Sequence, residues 1–554
     1  MRILAFLLEA LSDDMATNHT IFLGVETLLV RTTQAGYPAA PMAESVPHAR
    51  SSRSITLTEI ALILALFAVY ASWPVPEGNE TCYLGKAKHF WNPAWGEGVL
   101  FMESGNAHAV FYVLTGWIAC LLPLDTTAWI VRGSIWLLLA AAWQRFSFSV
   151  LPRRGAAVVS AALFLALLDR GNMAGEWIVG GAEAKGFAYA LVLVGLERLA
   201  RDDARRALPA FGLATSFHPL VGGWALVAGT VASATVVTER RRLFLPLLVS
   251  ILFALPGLWG AMRLNAGTST ATITRAAEIL VFERTSHHLL PAAFSSHAIV
   301  RHLCLWGAWF WLLRVIGSAA PHRLWPRFIT AAIGISALGL LLWLVTSHRP
   351  PLAATILQYY WFRLADAMVP AGLAAALLLV VDKVRGRRPA WARALFVVFA
   401  LFGTLHLAQR VTRIRDAETP RSDGALADPT AWRAVCDWVA GHTPDQARFL
   451  TPAAGASFLW YSGRRDIVNW KDQPQDAAAV VAWWECMRDI HGEGSAAGPR
   501  RGRPRLNELS ASRLRELSRT YHADYAIVDR EGHQLLDLPL VYENTGYLVY
   551  RFAE

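Results

Sequence analysis

The chain has 554 residues, 54% of them hydrophobic, with 23 Trp, 25 Phe, only 17% charged side chains and a formal net charge of +10. A soluble protein of this size needs several cores under a polar surface, and the polar residues for that are missing over most of the chain, so lipid is the expected solvent. The Arg residues are scattered between apolar runs, which excludes a basic stripe for nucleic acid, and five irregularly spaced Cys exclude a disulfide scaffold or a Cys-x-x-Cys centre.

Residues 1–54 differ from the rest. The apolar stretches Ile3–Leu8 and Ile21–Val30 are short, and acids break or flank them. The segment is predicted to be a disordered extension, with Met15 as an alternative start. Long apolar runs then predict about eleven transmembrane helices, near 55–73, 126–143, 155–168, 186–200, 207–218, 220–237, 243–263, 298–317, 327–346, 366–382 and 391–408. Together they define a membrane domain over 55–409.

Basic loops orient these spans. Arg145, Arg153 and Arg154 follow the second span, Arg198, Arg201, Arg205 and Arg206 the fourth, and Arg240–Arg242 the sixth. Arg314, Arg323 and Arg327 follow the eighth, and Lys383, Arg385, Arg387 and Arg388 the tenth. All share one side if the N-terminus is cytoplasmic. That count holds only if the apolar stretch 107–122 does not cross the membrane. It is therefore predicted to be an in-plane or re-entrant helix inside a large first outer loop over 74–125. Its Phe111, Tyr112 and Trp117 suit an interface.

From residue 410 the chain turns polar. Strand-like runs near 448–451, 466–470, 524–529, 538–543 and 547–552 alternate with helical patterns near 432–439, 480–490 and 514–521. They predict a soluble α/β domain over 410–554 on the outer side. Gly492–Arg505 reads as a disordered loop, and Cys436 and Cys486 as two buried free thiols rather than a disulfide.

The outer loops hold the chemistry-bearing residues. The first carries Glu77, Glu80, Tyr83, Lys86, Lys88, His89 and His108; the second carries Glu176, Glu183 and Lys185 with Gly180 and Gly181. Arg284, His287, His288, His297, Arg301 and His302 cluster in the fourth, Arg363 and Asp366 open the tenth span, and Arg464, Arg465, Trp470 and Lys471 of the soluble domain could recognise a sugar or an anion. A carboxylate in apolar surroundings suits general-base work; basic residues suit phosphate. The alternative reading is of solvated loops whose charges merely pair. Adjacent His287 and His288 do not have helical metal-ligand spacing, so no metal site is predicted. The cofactor is unknown, and divalent-metal dependence stays open.

A first span, an acidic outer loop with a Tyr, an in-plane helix and an Arg-bearing second span together resemble the GT-C membrane glycosyltransferases. That family carries D-E-x-x-Y after its first span; here Asn79, Glu80, Thr81, Cys82 and Tyr83 occupy the motif. Phe111–Tyr112 matches the family's aromatic pair, and Arg132 its second-span Arg. Within the superfamily the chain most resembles an uncharacterised bacterial membrane family, through G-G-A-E-A-K-G, H-H-L-L-P-A-A-F and W-F-R-L-A-D-A-M-V-P.

The resemblance implies a GT-C-like fold in the bacterial inner membrane. It also implies transfer of a sugar from a polyprenyl-phosphate donor to an acceptor outside the cytoplasm. Glu80 would be the catalytic base. Tyr83, Lys86, His108, Glu183, Lys185, His287, His288 and Arg363 would bind substrate. Asn79 departs from the family's first acid, so either Glu80 takes the base role or transfer is lost. The competing classes are a transporter or flippase, and a non-catalytic membrane protein whose outer domain binds an envelope partner. Membrane lipid and the lipid-linked donor are the expected partners, nucleic acid is not, and the oligomeric state is unassigned.

Overall fold

The computed structural model describes residues 53–317, 323–417, 419–492, 506–532 and 534–552. The predicted extension therefore lies outside the described residues except for its last two positions, and so does the predicted loop after Gly492 up to residue 505.

Each of the eleven expected spans corresponds to a helix. Seven are long and apolar enough to cross a membrane, and with them the chain is an integral membrane protein. They are α1 (Arg53–Ala71), α4 (Leu124–Val150), α9 (Phe244–Arg263, entered through a short turn from Arg240), α11 (Ser296–Ile316), α12 (Leu324–Thr346), α14 (Arg363–Arg385) and α15 (Pro389–Arg415). The other four are α5 (Ala156–Gly171), α6 (Ala184–Leu199), α7 (Ala204–Phe217) and α8 (Pro219–Ala234). They have 14 to 16 residues, shorter than the roughly 20 that a straight crossing takes. Most of their apolar side chains are buried in one continuous core with α4 and α14.

The basic loops gather at one end of this bundle. Arg153 pairs with Asp382 at 3.0 Å, Arg145 and Arg201 both reach Glu197, and Asp202 accepts from the amides of Arg323 and Leu324.

The predicted in-plane segment is α3 (Ala109–Leu121). It packs against α2 (Glu80–Trp91), a helix in what reads from sequence as loop. Phe111, Tyr112, Thr115 and Ala119 are buried, whereas Val113, Leu114, Trp117 and Leu121 are exposed. This one-sided burial is what an interfacial helix needs. The crossing is tight at Gly116, where a Cβ would stand 2.0 Å from the Ala87 carbonyl oxygen. Gly116→Ala is expected to cost about 1–3 kcal/mol of stability, read as a lowered thermal midpoint in detergent. Gly133→Ala, on α4 with open space at its Cβ position, serves as the control and should leave the midpoint unchanged or raised.

The C-terminal domain is a five-stranded sheet in the order β2-β1-β3-β5-β4. Its strands are β1 (Arg448–Leu450), β2 (Arg465–Asp466), β3 (Tyr525–Asp529), β4 (Leu540–Glu543) and β5 (Tyr547–Arg551). The first three run parallel, and β5 and β4 are added antiparallel. The expected strand 466–470 pairs only at its start; residues after Ile467 turn away. Helix α16 (Pro429–His442) packs on one face through Trp432, Val435 and Val439. Helices α17 (Ala477–His491) and α18 (Ala511–Tyr521) cover the other. Cys436 is buried, and both it and Cys486 are free thiols.

The domain is seated on the membrane part. Helix α10 (Thr270–Glu278) follows α9, and its Ala276, with Ile279 beyond its end, enters the α17 core. The Asp476 carboxylate accepts from the Gly105 amide at 2.8 Å, and the Asn265 side chain from the Ala477 amide at 2.9 Å. These contacts put the turn between β2 and α17 directly over the loops that the sequence reads as outer.

Candidate functional site

The segments that the sequence reads as outer loops and that turn meet at one place. The deepest layer is an ion pair. Arg132 on α4 donates from Nε and Nη2 to the two oxygens of Glu80, both at 2.6 Å, and from Nη1 to the Trp73 carbonyl. The amides of Ala182 and Glu77 add further bonds to Glu80, each at 2.7 Å. Four donors use the full acceptor capacity of a carboxylate, and both side chains are fully buried. Gly181 permits this closeness: a Cβ there would lie 2.9 Å from Glu80 Oε1.

Glu80 was expected to be the base. In this arrangement it has no lone pair left for an acceptor proton and no exposure to meet one. It ties α2, α4 and the loop before α6 together.

The next layer is organised by Glu176. Its carboxylate accepts from Lys185 Nζ at 2.9 Å and pairs with Arg363 Nε. Lys185 also lies over the Trp177 ring at 3.1 Å and 3.6 Å from Glu183. Arg363 rests on the Tyr360 ring at 3.9 Å. Asp366, in the first turn of α14, accepts from the amides of Met173 and Ala174 at 2.8 and 2.7 Å. A carboxylate there also suits the positive end of the helix. This bond pins the second outer loop to α14, and His288 holds the same loop through the Ala174 carbonyl at 2.5 Å.

Glu183 is the N-cap residue of α6, yet its side chain makes no cap bond. It accepts instead from Asn79 Nδ2 at 3.2 Å. Asn79 is itself the N-cap of α2 and likewise leaves its own helix uncapped. Two capping residues are thus turned toward each other. Glu183 has no arginine partner among the described residues. Its charge also reaches the hydroxyl of Tyr83 and the ammonium of Lys471.

A row of rings closes one side. Tyr83 Oη is 3.4 Å from His108 Nε2, the rings of His108 and His218 are 4.9 Å apart, and Arg363 Nη1 is 3.4 Å from His218 Nε2. Burial pushes the pKa of His108 down to about 4, with the Arg363 charge adding to the effect and the Phe217 carbonyl opposing it. His108 is therefore neutral at working pH. Unfolding releases it to about 6.5, so the unfolded chain binds the extra proton and stability falls as pH drops from about 6.5 towards 4. His288, lowered chiefly by burial and then by its neighbour His287, adds in the same direction. The thermal midpoint should fall between pH 7 and 5, and less so in His108→Gln.

The C-terminal domain supplies the roof. Asn469 Nδ2 donates to Asp466 and Asp472, both at 2.7 Å, and its oxygen accepts from the amides of Lys471 and Asp472. The turn thus presents Trp470 and Lys471 downward. Arg284 Nε donates to the Trp470 carbonyl at 3.1 Å, and Cys82 Sγ on α2 lies 3.3 Å from Asp472.

Of the residues expected to bind substrate, the structure brings Tyr83, His108, Glu183, Lys185, His288 and Arg363 into this network. His287 stands at its exposed edge, 4.0 Å ring to ring from His288. Lys86 does not join it. Its ammonium is caged by the carbonyls of Phe101, Met102 and Ser104 and by the Ser104 hydroxyl, at 2.6 to 3.1 Å; it faces α2's own outer loop and holds it. Glu176, Arg284 and Lys471 lie in segments that the sequence marks as chemistry-bearing or anion-binding, but they are not among the residues it assigns to catalysis or substrate. Among the described residues no group of three or more His, Cys, Asp or Glu is placed to hold a metal ion.

Residues 430–490 match the model of a domain of unknown function, DUF6798. A search of curated proteins by sequence finds no match to the chain. Among solved structures the chain is similar to the Archaeoglobus fulgidus oligosaccharyltransferase complexed with zinc and sulfate, at 13% identity and a TM-score of 0.41, over 86% of this chain and 68% of that one. It is also similar to the archaeal oligosaccharyltransferase AglB from Archaeoglobus fulgidus with an inhibitory peptide and a dolichol-phosphate, at 13% identity and a TM-score of 0.42, over 86% and 69%.

Proposed function

We propose that the chain is a GT-C-like membrane glycosyltransferase that moves a sugar from a lipid-phosphate donor to an acceptor on the outer side of a bacterial inner membrane. The observation that carries this is the pairing, at one place, of a carboxylate free of arginine with a wall of basic side chains. Glu183 is the general base. It takes the proton from the acceptor hydroxyl as that oxygen attacks the anomeric carbon. The bond from that carbon to the phosphate oxygen breaks, its electrons stay on the phosphate, and basic groups stabilise the growing charge. Glu176 keeps Lys185 and Arg363 in place, and Glu80 with Arg132 keeps the loop in place beneath them.

Charge supports this choice of membrane side. The basic loops gather at the end opposite the site, which positive-inside insertion assigns to the cytoplasm. The test uses membranes containing the chain and a polyprenyl-phosphate sugar labelled in the sugar. The label is expected to leave the lipid and appear on an acceptor, with polyprenyl phosphate as co-product. Uptake of solute into proteoliposomes without transfer would overturn the reading.

A further inference from the structure

Charge is unevenly balanced across the site. Lys185 and Arg363 are neutralised by Glu176. Arg284 and Lys471 have no carboxylate in salt-bridge range among the described residues. Among the described residues Arg284 makes one hydrogen bond, from Nε to the Trp470 carbonyl, and lies over that ring at 5.1 Å. The Lys471 side chain makes none, although it is only partly exposed. Its ammonium senses Arg284 and Lys185 as repelling charges and Glu183 as an attracting one, and burial pulls its pKa down. His287 senses both Arg284 and Lys471. Enclosing cations near one another with no carboxylate in contact is costly. Yet the turn that carries Lys471 is held rigidly by the Asn469 clamp and by Cys82.

We infer that Arg284 and Lys471 form a phosphate-ester subsite split between the membrane domain and the outer domain, so that the outer domain completes the site. This rests on the transferase reading above and deepens it. Lys471 is a binding residue: its three donors and those of the Arg284 guanidinium face the anion that neither has in the protein. The outer domain then does more than cap the bundle, because lifting it removes a phosphate contact.

The experiment titrates the full chain in detergent with farnesyl phosphate, with farnesol and with inorganic phosphate, following Trp fluorescence. The wild type is expected to bind farnesyl phosphate, and farnesol much more weakly. Lys471→Met should weaken farnesyl phosphate about ten-fold or more, and Lys471→Arg should stay within about three-fold. Farnesol binding should be the same in all three, which also shows that the variants are folded. Inorganic phosphate competing as well as farnesyl phosphate would assign the subsite to free phosphate and overturn the lipid-linked ligand. Equal binding of farnesyl phosphate by wild type and Lys471→Met would overturn the subsite and leave the transferase reading standing. Absence of farnesyl phosphate binding in the wild type would remove both.

Discussion

Arg132→Met is expected to destabilise the protein by about 3–5 kcal/mol, the cost of leaving the buried Glu80 carboxylate without its partner. Glu80 would keep only the amides of Glu77 and Ala182. Glu80→Leu should be comparably damaging, because it leaves the guanidinium without a carboxylate, with only the Trp73 carbonyl and the face of the Trp129 ring beside it. The double variant Glu80→Leu/Arg132→Met removes both charges and should lose clearly less than the sum of the two singles. Denaturant or thermal unfolding in detergent checks this. Additive losses would mean that the pair is not the joint it looks like. The same cycle separates a positioning role from a catalytic one: activity of the Glu80 variant should follow its folded fraction.

Glu183→Gln should behave in the opposite way. Glutamine keeps the shape and can still accept from Asn79, and the one cation within salt-bridge range among the described residues is Lys185 at 3.6 Å. Folding should change little. Turnover should fall about 10²–10⁴-fold, the usual contribution of a general base. The KM for donor should move far less, because the carboxylate acts on the acceptor hydroxyl. A rate that falls only as much as the melting temperature predicts would put the base elsewhere.

Long apolar runs and the placement of Arg made the helices and the in-plane segment legible, since lipid imposes length and sidedness directly on sequence. The twelve residues of α2 escaped that reading. Its Glu80, Lys86, Lys88 and His89 look like a solvated loop, and only burial of Glu80 and Lys86 by other segments shows otherwise. Helix α10 escaped for a related reason: its apolar side chains pack into the outer domain, two hundred residues further along the chain.

The site shows the same division. Tyr83, His108, Glu183, Lys185, His288 and Arg363 stood out because charged and ring residues are conspicuous beside apolar runs. Their pairing did not. Glu80 and Arg132 are 52 positions apart, and Arg284 and Trp470 are 186 apart. No periodicity links such pairs, so a carboxylate locked by an arginine and one without an arginine partner look alike in sequence.

The most direct measurement is the single-turnover rate of sugar transfer from a labelled polyprenyl-phosphate donor, using purified full chain and correcting each variant for its folded fraction. The predicted result is transfer by the wild type, a near-normal corrected rate for Glu80→Gln, and a loss of at least about 100-fold for Glu183→Gln. No transfer by the folded wild type, or a full corrected rate for Glu183→Gln, would contradict it.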